Sequence, residues 1–304
     1  MVYKIKYAVY TLKIYRYFIY LGINVILGAW VDRVKTGIPG FDDLIQGGIP
    51  KGFNVLLVGQ PGAGKTIFGL QYLVNGAKQV ENGIYVSLDS ANEIVKAQGE
   101  MFGWDVDGLE KEGKLSFLKI PLDKPKINLF DILEEEVKAA KAERLVFDSL
   151  ADFAINIDQF VIPLSYSMFP TIKSEEEQAL MQSDKTYRYE VMPTLGQDPQ
   201  GRMFYKGHSR RRISFLVMNE LTKLNTTNLV ITDERTSQDG ITVDGISEYT
   251  SDGLVHLQIL ETATGIPRML KIKKMRVTKQ PLDRFPFEIG EKGIEVRNIE
   301  DILK

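Results

Sequence analysis

Eight consecutive residues carry the clearest chemical signal in this 304-residue chain. They follow the pattern G-x-x-x-x-G-K-T and comprise Gly59, Gln60, Pro61, Gly62, Ala63, Gly64, Lys65 and Thr66. Glycines at these places let the chain turn tightly and bring backbone N–H groups close to an anion. The lysine adds a full charge for the β- and γ-phosphates of a nucleotide, and the threonine hydroxyl is suited to Mg²⁺. The pattern predicts a phosphate-binding P-loop that binds ATP with Mg²⁺.

The flanking sequence has the order that a P-loop requires. The apolar run 53–58 precedes the motif and predicts a buried strand, and a helical pattern follows it. This order places the phosphate at the N-terminus of a helix, where peptide dipoles leave partial positive charge. We therefore include Ile67, in the first helical turn, among the expected phosphate-binding residues. The alternative is a plain glycine-rich turn. Such a turn would not require Lys65 and Thr66 together.

A second candidate ligand for Mg²⁺ is Asp148, which follows the apolar run 145–147. A carboxylate at the end of a buried strand has the position of a Walker B acid, which holds Mg²⁺ through water opposite the P-loop hydroxyl. The alternative for an aspartate at a strand–helix turn is an ordinary helix N-cap. With the P-loop upstream, we expect Thr66 and Asp148 to form a metal site.

Composition limits the class of protein. A hydrophobic fraction of 44% is ordinary for a chain with a proper core. The formal net charge of −2 gives no global electrostatic argument for nucleic acid or anionic membranes as partners. Because cysteine is absent, disulfides and cysteine-based metal sites are excluded. The two histidines, His208 and His256, are more typical of surface or core positions than of metal ligands.

Residues 1–30 differ in composition from the rest of the chain. They are rich in Tyr and Ile, and the stretch 17–30 has no charge. Three interpretations remain open: translated DNA upstream of a true start at Val31, an ordered N-terminal extension, or a signal peptide or membrane anchor. The uncharged stretch is shorter than the roughly 20 apolar residues of a membrane span. Because a P-loop ATPase works in the cytosol, we expect a cytoplasmic protein, no membrane partner, and a fold that does not require residues 1–30.

From Val31 onward, strand and helix patterns alternate. The expected strands are 53–58, 84–88, 115–120, 145–147 and 228–232, and the expected helices are 91–102, 132–142 and 213–224. Four further strands, expected to be antiparallel, follow at 253–260, 268–275, 285–289 and 293–296. The alternation predicts an α/β fold with a mostly parallel sheet that helices cover on both faces. The segment of about 157–212 interrupts this order, and a loop of that length is usually functional or disordered.

Several segments resemble the KaiC proteins and their archaeal relatives, which belong to the RecA-like ATPases. Residues 33–52, RVKTGIPGFDDLIQGGIPKG, resemble the entry segment of that family, and the P-loop follows them closely. Shorter matches are Phe102-Gly103-Trp104-Asp105, Phe147-Asp148-Ser149-Leu150, Thr232-Asp233-Glu234-Arg235 (T-x-E-R in the family), Ser251-Asp252-Gly253-Leu254-Val255 (A-D-G-V-I) and Lys274-Met275-Arg276-Val277-Thr278 (K-x-R-G-T). The resemblance implies a RecA-like P-loop NTPase core in residues 31–304, with about 157–212 as an insertion.

The resemblance also implies a ring of identical subunits, commonly a hexamer, with ATP at each subunit interface. In that family the K-x-R pair, here Lys274 and Arg276, reaches the γ-phosphate of the neighbouring subunit. Two cations two residues apart on a strand share a face, and such a pair suits charge neutralisation in phosphoryl transfer. Without the resemblance, the pair would more often be a solvated strand edge. We expect Lys65, Lys274 and Arg276 to act together on the transferred phosphoryl group.

Two departures from the family pattern bear on hydrolysis. After the second strand the family carries two adjacent acids, one of which serves as base for the attacking water, whereas this chain has Asp89 and Ser90. Asp89 is the expected catalytic base, but its side chain is one methylene shorter than that of Glu. A misplacement near 1 Å can lower a rate on the order of 100-fold. Val277 also replaces the glycine after K-x-R, so we expect ATP binding with slow hydrolysis.

Three functional hypotheses follow. The first is a cytoplasmic, ring-forming ATPase with slow turnover that acts as a regulatory switch or assembly factor. The second is a nucleic-acid-binding RecA paralogue in recombination or repair, because the second half of 157–212 is basic and aromatic and suits single strands. The acidic loop after Thr232 argues against this hypothesis. The third is a non-hydrolysing, ATP-gated interaction scaffold, and in each case the sequence identifies no partner protein.

Overall fold

The computed structural model describes most of the chain from residue 31 to residue 297. The described residues are 31–88, 90–122, 127–160, 194–197, 203–206, 210–235, 241–243, 245, 247–260 and 267–297. Only the backbone is described in 194–197, 203–206 and 210–213 and at residue 158. The expectations for residues 1–30, for Asp89 and for most of 157–212 therefore lie outside the described residues.

The strands and helices alternate along the chain. The strands are β1 (Arg33–Val34), β2 (Ile49–Pro50), β3 (Asn54–Gly59), β4 (Gly83–Ser87), β5 (Leu115–Lys119), β6 (Arg144–Asp148), β7 (Thr194–Gln197), β8 (Met203–Lys206), β9 (Thr227–Asp233), β10 (Gly253–Ile259), β11 (Arg268–Met275), β12 (Arg284–Gly290) and β13 (Gly293–Val296). The α-helices are α1 (Phe41–Leu44), α2 (Lys65–Lys78), α3 (Asn92–Glu100), α4 (Val106–Lys111), α5 (Leu129–Ala140), α6 (Leu150–Ile155), α7 (Arg210–Lys223) and α8 (Ser247–Thr250).

Within the described residues, nine strands form the main sheet in the order β13-β12-β11-β10-β3-β9-β6-β4-β5. The neighbours from β10 to β5 are parallel, and those from β10 to β13 are antiparallel. The predicted fold class, a mostly parallel sheet with helices and antiparallel C-terminal strands, is confirmed. All six residues of β3 are buried, because a central parallel strand is covered on both faces.

The sheet separates two hydrophobic cores. Along β3, Val55 and Leu57 lie in the core formed with α2, whereas Leu56 and Val58 lie in the core formed with α5, α6 and α7. This alternation follows from the two-residue period of a strand. Full burial of one such aliphatic side chain stabilises the fold by about 1.5–3 kcal/mol. The P-loop strand is therefore held rigidly between two packed layers.

The sequence pattern did not predict eight short elements: β1, β2, β7, β8, α1, α4, α6 and α8. Each has two to six residues, too few for a measurable hydrophobic period. Helix α7 also begins at Arg210 rather than at residue 213. Within the described part of the chain, no helix combines the length and apolar character needed to cross a membrane.

Val277 adopts a strained backbone conformation in the turn after β11. Its φ of 54° lies in the left-handed region, which is unfavourable for a β-branched residue. Arg33 holds this turn, because its guanidinium donates to the carbonyl of Val277 at 2.9 Å and to the hydroxyl of Thr278 at 3.1 Å. Glycine, which the resemblance implies at this position, would adopt this φ without strain.

We expect Val277→Gly to raise the free energy of unfolding by about 1 kcal/mol, because glycine relieves the left-handed strain. Urea denaturation of the full chain would measure the change. Val277→Ala keeps Cβ and should recover less than half of that gain. A glycine variant less stable than the parent would show that the side chain of Val277 contributes more packing than strain.

Candidate active site

The P-loop and Asp148 lie where neighbouring parallel strands end. Gly59, at the end of β3, pairs in register with Asp233 of β9. Asp148, at the end of β6, pairs with Ile231 of β9 and with Ser87 of β4. In open α/β sheets, ligands bind outside the carboxyl ends of the strands, where the connections leave a crevice. The topology therefore brings the P-loop, Asp148 and Asp233 to one edge of the sheet.

The P-loop has the backbone geometry of an anion-binding turn. Gly64 is the N-cap of α2, has a φ of 100° and makes no side-chain cap hydrogen bond. The amides of Lys65, Thr66 and Ile67 are in the first turn of the helix, where N–H groups have no intrahelical acceptor. A Cβ on Gly59 would lie 2.6 Å from the carbonyl oxygen of Leu257. Gly59 is thus required by close packing and Gly64 by its left-handed φ, and the free amides suit a phosphate.

Lys65 is held by groups that a nucleotide would displace or share. Its Nζ donates to the carbonyl of Gly59 at 2.7 Å and to that of Gln60 at 3.2 Å. The same nitrogen lies 3.1 Å from Oδ1 of Asp233, whose side chain is 48% exposed. An ion pair with that exposure contributes little to stability, so a triphosphate can compete for Lys65. No function in the site was predicted for Asp233, although it lies within the T-x-E-R match.

Thr66 and Asp148 converge as predicted for a metal site. The hydroxyl of Thr66 donates to Oδ2 of Asp148 at 3.4 Å, and the Tyr85 hydroxyl donates to the same oxygen. Burial raises the pKa of Asp148, and the hydrogen bond from Tyr85 opposes this shift. A hydroxyl and a carboxylate are the hard oxygen ligands that Mg²⁺ prefers. The donor set therefore fits Mg²⁺ beside a nucleotide.

The N-cap alternative does not account for Asp148. Helix α6 begins at Leu150, and its N-cap is Ser149, whose side-chain oxygen accepts the amide of Asp152 at 3.2 Å. Asp148 therefore remains available for a ligand. On the adjacent strand, Ser87 donates to the carbonyl of Ser90 at 2.7 Å. Asp89 lies outside the described residues, and its role as the catalytic base stays a prediction.

A pair formed by a glutamate and a buried histidine lies next to the end of β3, the strand that precedes the P-loop. The amide of Glu234 donates to the carbonyl of Gly59 at 3.2 Å, and its carboxylate lies 3.0 Å from Nε2 of His256. His256 is opposite Val58 in the register of β10 and β3 and is 4% exposed. Burial lowers the pKa of His256, and Glu234 opposes the shift. The sequence anticipated a surface or core position for His256 but not its partner.

Lys274 and Arg276 lie at the opposite end of the sheet from the P-loop of their own chain. Lys274 Nζ donates to the carbonyl of Ser251 at 2.5 Å, and Arg276 Nη1 lies 2.8 Å from Oδ1 of Asp252. The two were expected to share a strand, but β11 ends at Met275, so Arg276 is in the following turn. The β10–β11 register also shifts next to Lys274. The structure keeps the pair together but does not bring it to the P-loop.

The segment of about 157–212 has a described backbone hairpin near its end. Strands β7 and β8 are antiparallel, with Thr194 opposite Lys206 and Gln197 opposite Met203. Helix α7 follows and packs its buried residues on the main sheet. Binding of nucleic acid through this segment stays a prediction.

Comparison with known proteins gives independent evidence. The family model described as "ATPase: KaiC" matches residues 34–195 and 205–301. A UPF0273 protein of Aeropyrum pernix is 33% identical over 267 residues, which cover 88% of this chain and 94% of that protein. A UPF0273 protein of Thermotoga maritima is 31% identical, with 88% and 96% covered. The crystal structure of a KaiC-like protein from Pyrococcus horikoshii aligns with a TM-score of 0.65 and 30% identity, over 88% of this chain and 100% of that one.

Proposed function

Because the chain belongs to the KaiC family of ATPases, we propose that it is a ring-forming ATPase with slow, Mg²⁺-dependent hydrolysis. Each nucleotide site is shared between two neighbouring subunits. The ring acts as a regulatory switch or assembly factor, in which bound ATP determines the state of the assembly rather than driving fast turnover.

The site at the carboxyl ends of the strands supports nucleotide binding. The free amides of the P-loop and the charge of Lys65 hold the β- and γ-phosphates. Thr66 and Asp148 would hold Mg²⁺, which neutralises charge on the phosphates when it is bound. Asp89 orients the attacking water, and its short side chain accounts for slow turnover.

One observation carries the proposal that sites are shared. The amide of Asp252, which pairs with Arg276, donates to the carbonyl of Asn54 at 2.9 Å. Asn54 is the first residue of β3 and Gly59 is the last, so the two ends of this strand are about 16 Å apart. An arginine side chain held at one end cannot reach a phosphate at the other. Arg276 can therefore serve a nucleotide only in a second subunit.

Sizing by light scattering, with and without ATP and Mg²⁺, tests the assembly directly. We expect a ring that ATP stabilises at micromolar concentration, together with slow steady-state hydrolysis. A monomer that hydrolyses ATP at a concentration-independent rate would overturn the shared site. Added single-stranded DNA serves as a second arm, because stimulation by DNA would favour the nucleic-acid hypothesis.

The proposed base gives a separate prediction. We expect Asp89→Asn to reduce the basal rate at least about 100-fold, the low end of the effect of a positioned base, while ATP affinity stays within about twofold. Asp89→Glu is the matched variant, since it restores the carboxylate with a longer reach and should equal or exceed the parental rate. Single-turnover hydrolysis measures both. If Asp89→Asn hydrolyses ATP like the parent, the base lies elsewhere, and Glu93 and Glu234 are the next residues to replace.

A further inference from the structure

Tyr85 is a buried side chain that the proposed function does not use. It lies in β4, has no exposed surface, and stacks on Phe117 with ring centroids 6.1 Å apart and planes 26° apart. Its ring is therefore fixed by packing. The hydroxyl at the end of this fixed ring donates to Oδ2 of Asp148.

The acceptor distinguishes this tyrosine from a second buried one. Tyr72 of α2 is equally buried, and its hydroxyl donates to the backbone carbonyl of Thr227 at 3.0 Å. Thr227 begins β9, so this bond lies at the end of the sheet away from the P-loop. A buried tyrosine hydroxyl needs some partner, and a backbone carbonyl is sufficient. The hydroxyl of Tyr85 instead donates to the carboxylate of Asp148, which also accepts a hydrogen bond from the hydroxyl of Thr66.

A carboxylate can rotate about its last bond unless a donor fixes it. The observed orientation of the carboxylate plane places Oδ2 at the 3.4 Å contact with the hydroxyl of Thr66, and rotation of that plane would break the contact. The hydroxyl of Tyr85, on the neighbouring strand β4, holds the carboxylate in that orientation before any ligand binds. In metal sites, hydrogen bonds that orient a ligand typically change metal affinity by about 10- to 100-fold.

We propose that Tyr85 is a positioning residue for the metal site, because its hydroxyl fixes the carboxylate of Asp148 in the orientation that Mg²⁺ requires. This inference rests on the proposed function. In this proposal Tyr85 acts through Asp148, the carboxylate that its hydroxyl contacts, and not as a ligand of the metal. Its loss should therefore change the requirement for Mg²⁺ without changing the binding of nucleotide in the absence of Mg²⁺.

The test compares Tyr85→Phe with Tyr72→Phe in the full chain. Each variant removes one buried hydroxyl and keeps the ring. Calorimetric titration with ATP at a series of Mg²⁺ concentrations gives the half-saturating Mg²⁺, and titration in excess chelator gives metal-free affinity. We expect Tyr85→Phe to raise the half-saturating Mg²⁺ about 10-fold and to leave metal-free affinity within about twofold. Tyr72→Phe should lower only the thermal stability.

Asp148→Asn separates the two possible failures. If the parent shows no effect of Mg²⁺ on ATP binding, or if Asp148→Asn keeps the parental Mg²⁺ dependence, the proposed metal site itself is wrong. If Asp148→Asn loses that dependence while Tyr85→Phe keeps the parental half-saturating Mg²⁺, the metal site stands and the role of Tyr85 is refuted. Equal shifts of the half-saturating Mg²⁺ in Tyr85→Phe and Tyr72→Phe would also refute this role, since they would reflect destabilisation of the whole fold.

Discussion

Lys65→Ala is expected to weaken ATP binding about 100-fold, because a charge-assisted hydrogen bond to phosphate is worth about 1.5–3 kcal/mol. The structure adds a second reason for a large effect. Lys65 lies between the P-loop carbonyls and Asp233. Without the lysine, the carboxylate of Asp233 faces the incoming phosphates with no cation between them. Calorimetry with ATP and Mg²⁺ measures the loss.

Two further variants make this prediction specific. Lys78→Ala removes an exposed lysine from the last turn of the same helix and should leave ATP affinity unchanged. Asp233→Asn, added to Lys65→Ala, should restore about 3- to 10-fold of the affinity, because it removes the uncompensated negative charge. Parental affinity in Lys65→Ala would exclude the P-loop as the nucleotide site. No recovery in the double variant would show that Asp233 does not face the phosphates.

The parts of the site that the sequence predicted are local in the chain. The P-loop, the strand before it and the helix after it are contiguous, so spacing and hydrophobic period are sufficient. Asp148 was predicted because it ends a short apolar strand. Lys274 and Arg276 were predicted only through the resemblance to a family, since the pattern of residues alone favours a solvated edge for them.

The parts that the sequence did not predict depend on which strands are neighbours. Asp233 contacts Lys65 because β9 lies next to β3, although 168 residues separate the two side chains in the chain. Tyr85 contacts Asp148 because β4 lies next to β6. Strand order and register are properties of the whole sheet, and local sequence patterns do not encode them. The acid–histidine pair of Glu234 and His256 was missed for the same reason.

The shared site makes the strongest prediction about assembly. Arg276→Ala should lower the hydrolysis rate about 10³-fold, the low end of the effect of an arginine supplied by a neighbouring subunit, while ATP affinity falls only a few-fold. The ion pair of Arg276 with Asp252 is half-exposed, so little stability should be lost. Arg297→Ala is the matched control, because Arg297 is similarly exposed and pairs with Glu288 of β12 at 2.7 Å, in the antiparallel part of the same sheet.

Mixing two inactive variants distinguishes a shared site from one completed within a chain. Lys65→Ala subunits lack a working P-loop but keep Arg276, and Arg276→Ala subunits have the opposite defect. In a head-to-tail ring, a subunit of the first kind can complete the site of a neighbour of the second kind. An equal mixture, reassembled at random, should therefore regain about one quarter of the parental rate. A mixture that stays as inactive as either variant would show that Arg276 acts within its own chain or not at all, whereas recovery requires that one subunit act on the nucleotide of another.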